Sequence, residues 1–483
     1  MWLFRSSDVV EVSEPAERDN DAGGSQEQTQ EPPTTELPEQ NEMANISDGG
    51  IPAEEFLLPP AAEPPGELPS VEKLLALASH DDCCEPAPLV QLLRSGFSAD
   101  VKARAAEALE ILADEDSNRK KIAKAGAISV LVALARSGTT EKAAAALANL
   151  ALNADTGAAI ALADGIPVLT KLAGTGTPTA TEKAAAALAN LALDDGNTVA
   201  IAQAGAIPVL VELARSGTPT ATEKAAAALA NLALDDDNRI AVDDEGAVPV
   251  LVELARSGTP GAREQAAAAL ANLALDDDDE VAIAPAGAVP VLVDLVRSGT
   301  PTAKEYAATA LANFAANTKC RVATAQAGAI PVLVELVRGG TQEDRETAAW
   351  ACAWVLWRLA VNADIRTAIV QAGAIPVLIE LARSGTPAAR EHAAAVLGKL
   401  ALDHDNKRAI AKAGAIPVLV ELERSGGTLS ARYAATVARC CLESHPYDRM
   451  SLRYLDVRLL SCYRATLFAC GCVRTHDYAV DEV

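Results

Sequence analysis

Side chains able to catalyse are present in this sequence but are not gathered. The five histidines, His80, His392, His404, His445 and His476, are scattered, and no two have the i, i+4 spacing of a helical metalloprotease site. No glycine-rich loop of the phosphate- or dinucleotide-binding kind occurs. Cys470-Gly471-Cys472 supplies two thiols only, half of a tetrahedral zinc site. The acidic runs Asp235–Asn238 and Asp276–Asp279 offer hard oxygen ligands, but they lack the twelve-residue calcium-loop pattern, and helix capping accounts for them. No enzyme, metal site or cofactor is therefore expected. The chemistry that repeats is that of a primary amide. In TEKAAAALANLALDDDN, Thr222–Asn238, Asn231 stands alone in a run of alanine and leucine. Asparagine is a mediocre helix residue because its amide competes for backbone hydrogen bonds. It nevertheless returns in the same setting at Asn149, Asn190, Asn272 and Asn313.

A helix must position these amides, and its geometry groups them. With Asn231 at zero and about 100° per residue, Ala227, Lys224 and Thr220 lie within about 40° of it. Leu229 and Leu232 fall well away and form the face expected to be buried. The asparagine therefore shares a more polar face with Lys224. The same pairing recurs as Asn149 with Lys142, Asn190 with Lys183, Asn272 with Gln265 and Asn313 with Tyr306. Each amide carries one acceptor and two donors, matching the C=O and N–H of an extended peptide; the competing reading is that each amide bonds the neighbouring repeat or only water.

The helices belong to a periodic chain. The phrase GAIPVLVELARSGTP recurs, its proline or equivalent falling at Ser129, Pro167, Pro208, Pro249, Pro290, Pro331, Pro376 and Pro417, with spacings of 38, 41, 41, 41, 41, 45 and 41. Each unit reads as three helices. In one, DDDNRIAVDDEG is a short first helix stopped by Gly246, and AVPVLVELAR is the second. Thr259-Pro260 then opens the long third helix GAREQAAAALANLALD. No unit can bury its apolar faces alone, whereas stacked units share one core. The expected organisation is a tail over 1–70, a degenerate unit over 71–113, eight repeats over 114–442, and an atypical segment over 443–483.

GAIPVLVELARSGTPTATEKAAAALANLALDDDN, in its length, helix order and Gly…Pro…Asn placement, resembles the armadillo repeat, over about residues 71–442. The two-helix HEAT repeat is the nearest rival. The resemblance implies an all-α fold, a right-handed α-solenoid superhelix of three-helix repeats. It also implies an asparagine ladder lining a concave groove that grips peptide backbones, here Asn149, Asn190, Asn231, Asn272 and Asn313. One branch departs from this chain. Nuclear-import adaptors place Trp four residues before the asparagine, where Ala145, Ala186, Ala227, Ala268 and Thr309 stand here. Seven residues before it come Lys142, Lys183 and Lys224, which favour an acidic or phosphorylated ligand, as in catenin-like members. Pairing of these lysines with the preceding Glu141, Glu182 and Glu223 is the competing reading.

The 45-residue spacing contains RETAAWACAWVLWRLAVNAD, with Trp350, Trp354 and Trp357. Counted from the helix start, Trp350 takes the pocket position and Trp354 the asparagine position. Counted from its end, these become Trp354 and Arg358. The tryptophans read either as an aromatic anchor for a ligand or, more commonly at this spacing, as core. Beyond this unit Arg358, Lys399 and Cys440 replace the asparagines.

Charge and composition narrow the partners. The net charge of −25 argues against non-specific nucleic-acid binding. Residues 1–70 hold 16 acidic and two basic side chains, too polar to order themselves, and could lie in the groove as an intramolecular acidic strand. No run is long and apolar enough for a membrane span, and MWLFRSSDVVEV has no secretory apolar core. Nine scattered cysteines suit a reducing cytoplasmic or nuclear location. The function expected is a non-catalytic scaffold binding extended, acidic or phosphorylated segments of protein partners. The alternative is a nuclear-import-type cargo adaptor or the substrate-binding subunit of a ubiquitin ligase complex, although neither a basic N-terminus nor a U-box or RING array is present.

Overall fold

The short first helix, the apolar second helix and the long alanine-rich third helix recur as a unit in the computed structural model. A representative repeat has Asp236–Asp244, Ala247–Ser257 and Pro260–Leu273. The structure describes residues 86–94, 96–137, 140–274, 287–339, 341, 344, 348–425 and 428–443, all within the compact unit 51–483. The acidic tail with its proposed groove contact, the start of the degenerate unit, the 276–279 run and the segment from 444 lie outside these residues.

Each boundary has a local cause. Asp235 caps the first helix by accepting from the Asn238 N–H at 3.1 Å. The turn into the second helix needs left-handed backbone, supplied by Gly246 at φ 70° and by glycine at the same place in the other described turns but one. There Asp164 adopts φ 56°, the one non-glycine residue with positive φ among the described residues. Thr259 caps the third helix, accepting from the Ala262 N–H at 3.2 Å, and Pro260 takes the first helical position, where no N–H is needed.

The third helices run Thr140–Leu150, Pro178–Leu191, Pro219–Leu232, Pro260–Leu273, Pro301–Phe314, Ala349–Leu359, Pro387–Leu400 and Leu429–Glu443. Each packs on the next, and each packs on the second helix of its own repeat. Leu229 and Leu232 are fully buried with their counterparts in other repeats, so the core is continuous along the chain. Small residues set the spacing between third helices. At Gly398 a Cβ would stand 3.2 Å from the Ala438 Cα, so the last two third helices meet backbone to backbone. The result is an all-α solenoid.

Candidate functional site

The ladder asparagines all lie on third helices, and each reaches back one repeat. The Nδ2 of Asn190 donates to the Ala148 carbonyl at 2.8 Å, and that of Asn231 to Ala189 at 2.9 Å. Asn272 donates to Ala230 and Asn313 to Ala271, both at 2.8 Å. Asn149 donates to the Glu110 carbonyl at 2.9 Å and to Asp114 Oδ1 at 2.7 Å. The choice of acceptor has a reason. Near the end of a helix the last carbonyls lose their i+4 partners. Leu193, four residues beyond Ala189, gives its N–H to Asn190 instead, leaving the Ala189 carbonyl for Asn231. The Ala148 and Ala230 carbonyls are orphaned in the same way by Leu152 and Leu234. Each asparagine therefore caps the C-terminal turn of the preceding third helix. Asn149, Asn190, Asn231 and Asn272 remain half-buried, whereas Asn313 is buried. For Asn190, Asn231 and Asn272 the cap uses one of two N–H donors and none of the carbonyl oxygen's capacity.

The lysines beside the ladder are engaged by carboxylates. Lys142 Nζ lies 2.7 Å from Glu107 and 4.0 Å from Glu110, and the hydrogen bond to Glu107 holds its ammonium above the usual lysine range. Lys183 lies 3.1 Å from Glu110. Lys224 lies 3.1 Å from the neighbouring Glu223. All three pairs are partly exposed, where an ion pair contributes little and exchanges readily.

A second row runs eight residues before the ladder, and sequence reasoning missed its purpose. Thr218 Oγ1 both accepts from the Ala221 N–H and donates to Glu182 Oε1 at 2.5 Å. In the last repeat the roles divide, Thr428 capping the helix and Ser430 donating to Glu391, but Thr177 donates likewise to Glu141 and Thr300 to Glu264, each also capping its own helix. One hydroxyl thus caps its own helix and ties it to the preceding repeat. The recurring Glu-Lys and Thr-Pro pairs, 36 residues apart from Glu to Thr, were the available signal. At Gly261 the pattern changes: a Cβ there would collide with the Glu223 carboxylate, and Glu223 instead pairs with Lys224.

In the irregular repeat the third helix ends in register with its neighbours. Arg358 therefore occupies the ladder position and Trp354 the place four residues earlier. Thr341 and Asp344 make reciprocal hydrogen bonds upstream, and Asp344 forms a partly buried pair with Lys304 at 2.7 Å. Trp354 and Trp357 are buried to 2% and 6% exposure. Trp350 is half-buried; its ring stacks on Trp354 at 6.1 Å, and its Nε1 donates to Glu305 at 3.0 Å. His392 approaches both rings at 6.3 Å. The Arg358 guanidinium lies 5.7 Å from the Trp354 ring and 5.5 Å from the Trp357 ring, and Lys399 lies 4.4 Å from Trp357. Burial pushes the Glu305 and Glu391 carboxyls up and, with the Arg358 charge, brings His392 down to about 4. Tyr306 is half-buried against the core at the position taken by the lysines in earlier repeats.

A family model for the armadillo/beta-catenin-like repeat matches residues 194–234, 235–275, 278–316 and 362–402. The crystal structure of an engineered protein from the Northeast Structural Genomics Consortium is similar, with a TM-score of 0.69 and 33% identity, over 77% of this chain and 99% of that one. The chain belongs to the armadillo repeat family. A second engineered protein from the same consortium is 37% identical over 48% of this chain and 96% of its own, with a TM-score of 0.46. No curated protein matches the sequence. As an armadillo chain it is a protein-interaction scaffold. Among its described residues no single helix is long and apolar enough to cross a membrane.

Proposed function

We propose that the face formed by successive third helices binds extended, acidic or phosphorylated segments of partner proteins, without catalysis. The observation that carries this reading is the row Asn190, Asn231 and Asn272, each half-buried and anchored by one N–H to the preceding repeat. Anchoring fixes the amide plane in advance, so little side-chain entropy is lost when a peptide engages the second N–H and the carbonyl. An extended chain advances about 3.3 Å per residue, so one repeat meets every second or third residue of the ligand. Lys142, Lys183 and Lys224 supply the charge beside the ladder, released from their carboxylates by a competing anion. Arg358 and Lys399 continue the positive row past the last asparagine. Trp350 offers a half-buried ring beside them, with Trp354 as its support.

The test is a titration of the full chain with matched acidic and basic extended peptides at two salt concentrations. Acidic peptides are expected to bind more tightly, and less so at high salt. Asn190→Ala with Asn231→Ala is expected to cost at least tenfold, and Lys183→Glu to remove the charge preference. A preference for basic peptides would reverse the polarity and favour the import-adaptor alternative.

A further inference from the structure

Three residues beyond Asn149, Asn190, Asn231, Arg358 and Lys399 the chain leaves the third helix, and an apolar side chain stands partly in solvent there; after Asn313 the equivalent residue is Ala316, and after Asn272 it is Leu275, which lies outside the described residues. Leu152, Leu193, Leu234, Val361 and Leu402 are 38–56% exposed. An apolar residue just past a helix end ordinarily packs back on its own helix. Here Leu191 and Ala192, or Leu232 and Ala233, already fill that space at no more than 2% exposure, and the fold does not use the next leucine. Six residues further on, the first helices add Val199 and Ile240, each about half exposed. Repetition in equivalent positions places this row along one edge of the solenoid. Scattered single exposed leucines need no explanation, but an aligned row does.

Around Leu152, Leu193 and Leu234, which stand in three consecutive repeats, the surroundings are acidic. The first helices Ala154–Leu162, Asp195–Gln203 and Asp236–Asp244, with their N-caps, carry eight aspartates and one arginine. That arginine, Arg239, is held by Asp236. An apolar row with an acidic border is complementary to an apolar row with a basic border.

We infer that this edge is a second docking surface, separate from the ladder, for a basic amphipathic helix of a partner protein with an aliphatic residue at every seventh position. The spacing selects the helix. Packed helices stand about 8–10 Å apart, so successive leucines are separated by about that distance. An α-helix advances ~1.5 Å per residue, so seven residues cover ~10.5 Å and return the side chain to nearly the same face. An extended segment would cover the distance in about three residues, which turns alternate side chains away from the edge. Lysine and arginine flanking the aliphatic residues would lie against the aspartates of the first helices.

The experiment is fluorescence anisotropy of the full chain with a dye-labelled, 22-residue model helix bearing leucine at every seventh position and lysine beside it. A second peptide replaces every lysine with glutamate. The lysine peptide is expected to bind, weaken as salt rises, and lose at least tenfold in affinity to the triple variant L152S/L193S/L234S. The three leucines are exposed, so circular dichroism and the urea midpoint of the triple variant should match the parent. Binding that survives the triple substitution, equal binding of the glutamate peptide, or no binding would each overturn the inference. So would a concentration-dependent dimer of the parent chain that the triple variant abolishes, since the edge would then pair with a second copy.

Discussion

Asn231 tests the capping role most directly, because its amide can be altered without changing its shape. Asn231→Ala removes the 2.9 Å hydrogen bond to the Ala189 carbonyl. A net hydrogen bond contributes about 1 kcal/mol, and a carbonyl left unsatisfied away from water costs about 1–3 kcal/mol. Alanine recovers roughly 0.5 kcal/mol through better helix propensity. The net loss should be about 1–2 kcal/mol. Asn231→Asp keeps the shape but replaces the donor with a carboxylate oxygen facing the carbonyl oxygen. It also puts negative charge at the negative end of two helices, adding roughly 0.5–1 kcal/mol. Aspartate should therefore destabilise more than alanine. Neighbouring repeats unfold as coupled units rather than as one two-state body, so the readout should be local. Amide exchange is expected to accelerate in helices 178–191 and 219–232 and to change little in 387–400. An aspartate variant as stable as the parent, or one milder than alanine, would refute the capping account.

Two further outcomes follow from the packing. His392, buried between Trp350, Trp354 and the Arg358 charge, has its pKa lowered from 6.5 to about 4. A lowered value means the unfolded chain binds the proton more readily, so this contribution is fully present above pH 6.5 and is lost as pH falls through 4. The shift corresponds to about 3 kcal/mol. Glu305 and Glu391, raised by burial, act in the opposite sense, their contribution being present below the ordinary glutamate range and lost as pH rises. His392→Gln should flatten the loss of urea stability between pH 6.5 and 4.5; an unchanged slope would contradict the assignment. Gly261→Ala should raise stability by about 0.5–1 kcal/mol through helix propensity, because the colliding atoms are the mobile end of Glu223. A fall in the urea midpoint would mean that Glu223 cannot turn away.

The sequence by itself determined the unit and its stacking. The spacings of 38, 41 and 45 residues, the Thr-Pro starts and the glycine stops are local signals, read without knowing any neighbour. Leu229 and Leu232 were legible as core because helical period alone separates them from Asn231. The irregular unit was less legible, since four extra residues allow two registers. Packing chose the register with Arg358 on the ladder, because the helix end at Leu359 is fixed by the shared core. What only the tertiary structure decided was where each polar group is spent. Asn231 meets Ala189, 42 residues away, and Lys183 meets Glu110, 73 residues away. Glu182 meets Thr218 rather than the adjacent lysine. A periodic sequence names the residues on a face, but the preceding repeat supplies the acceptors. Those carbonyls and carboxylates come within about 3 Å only when two repeats pack at the distance set by their alanines.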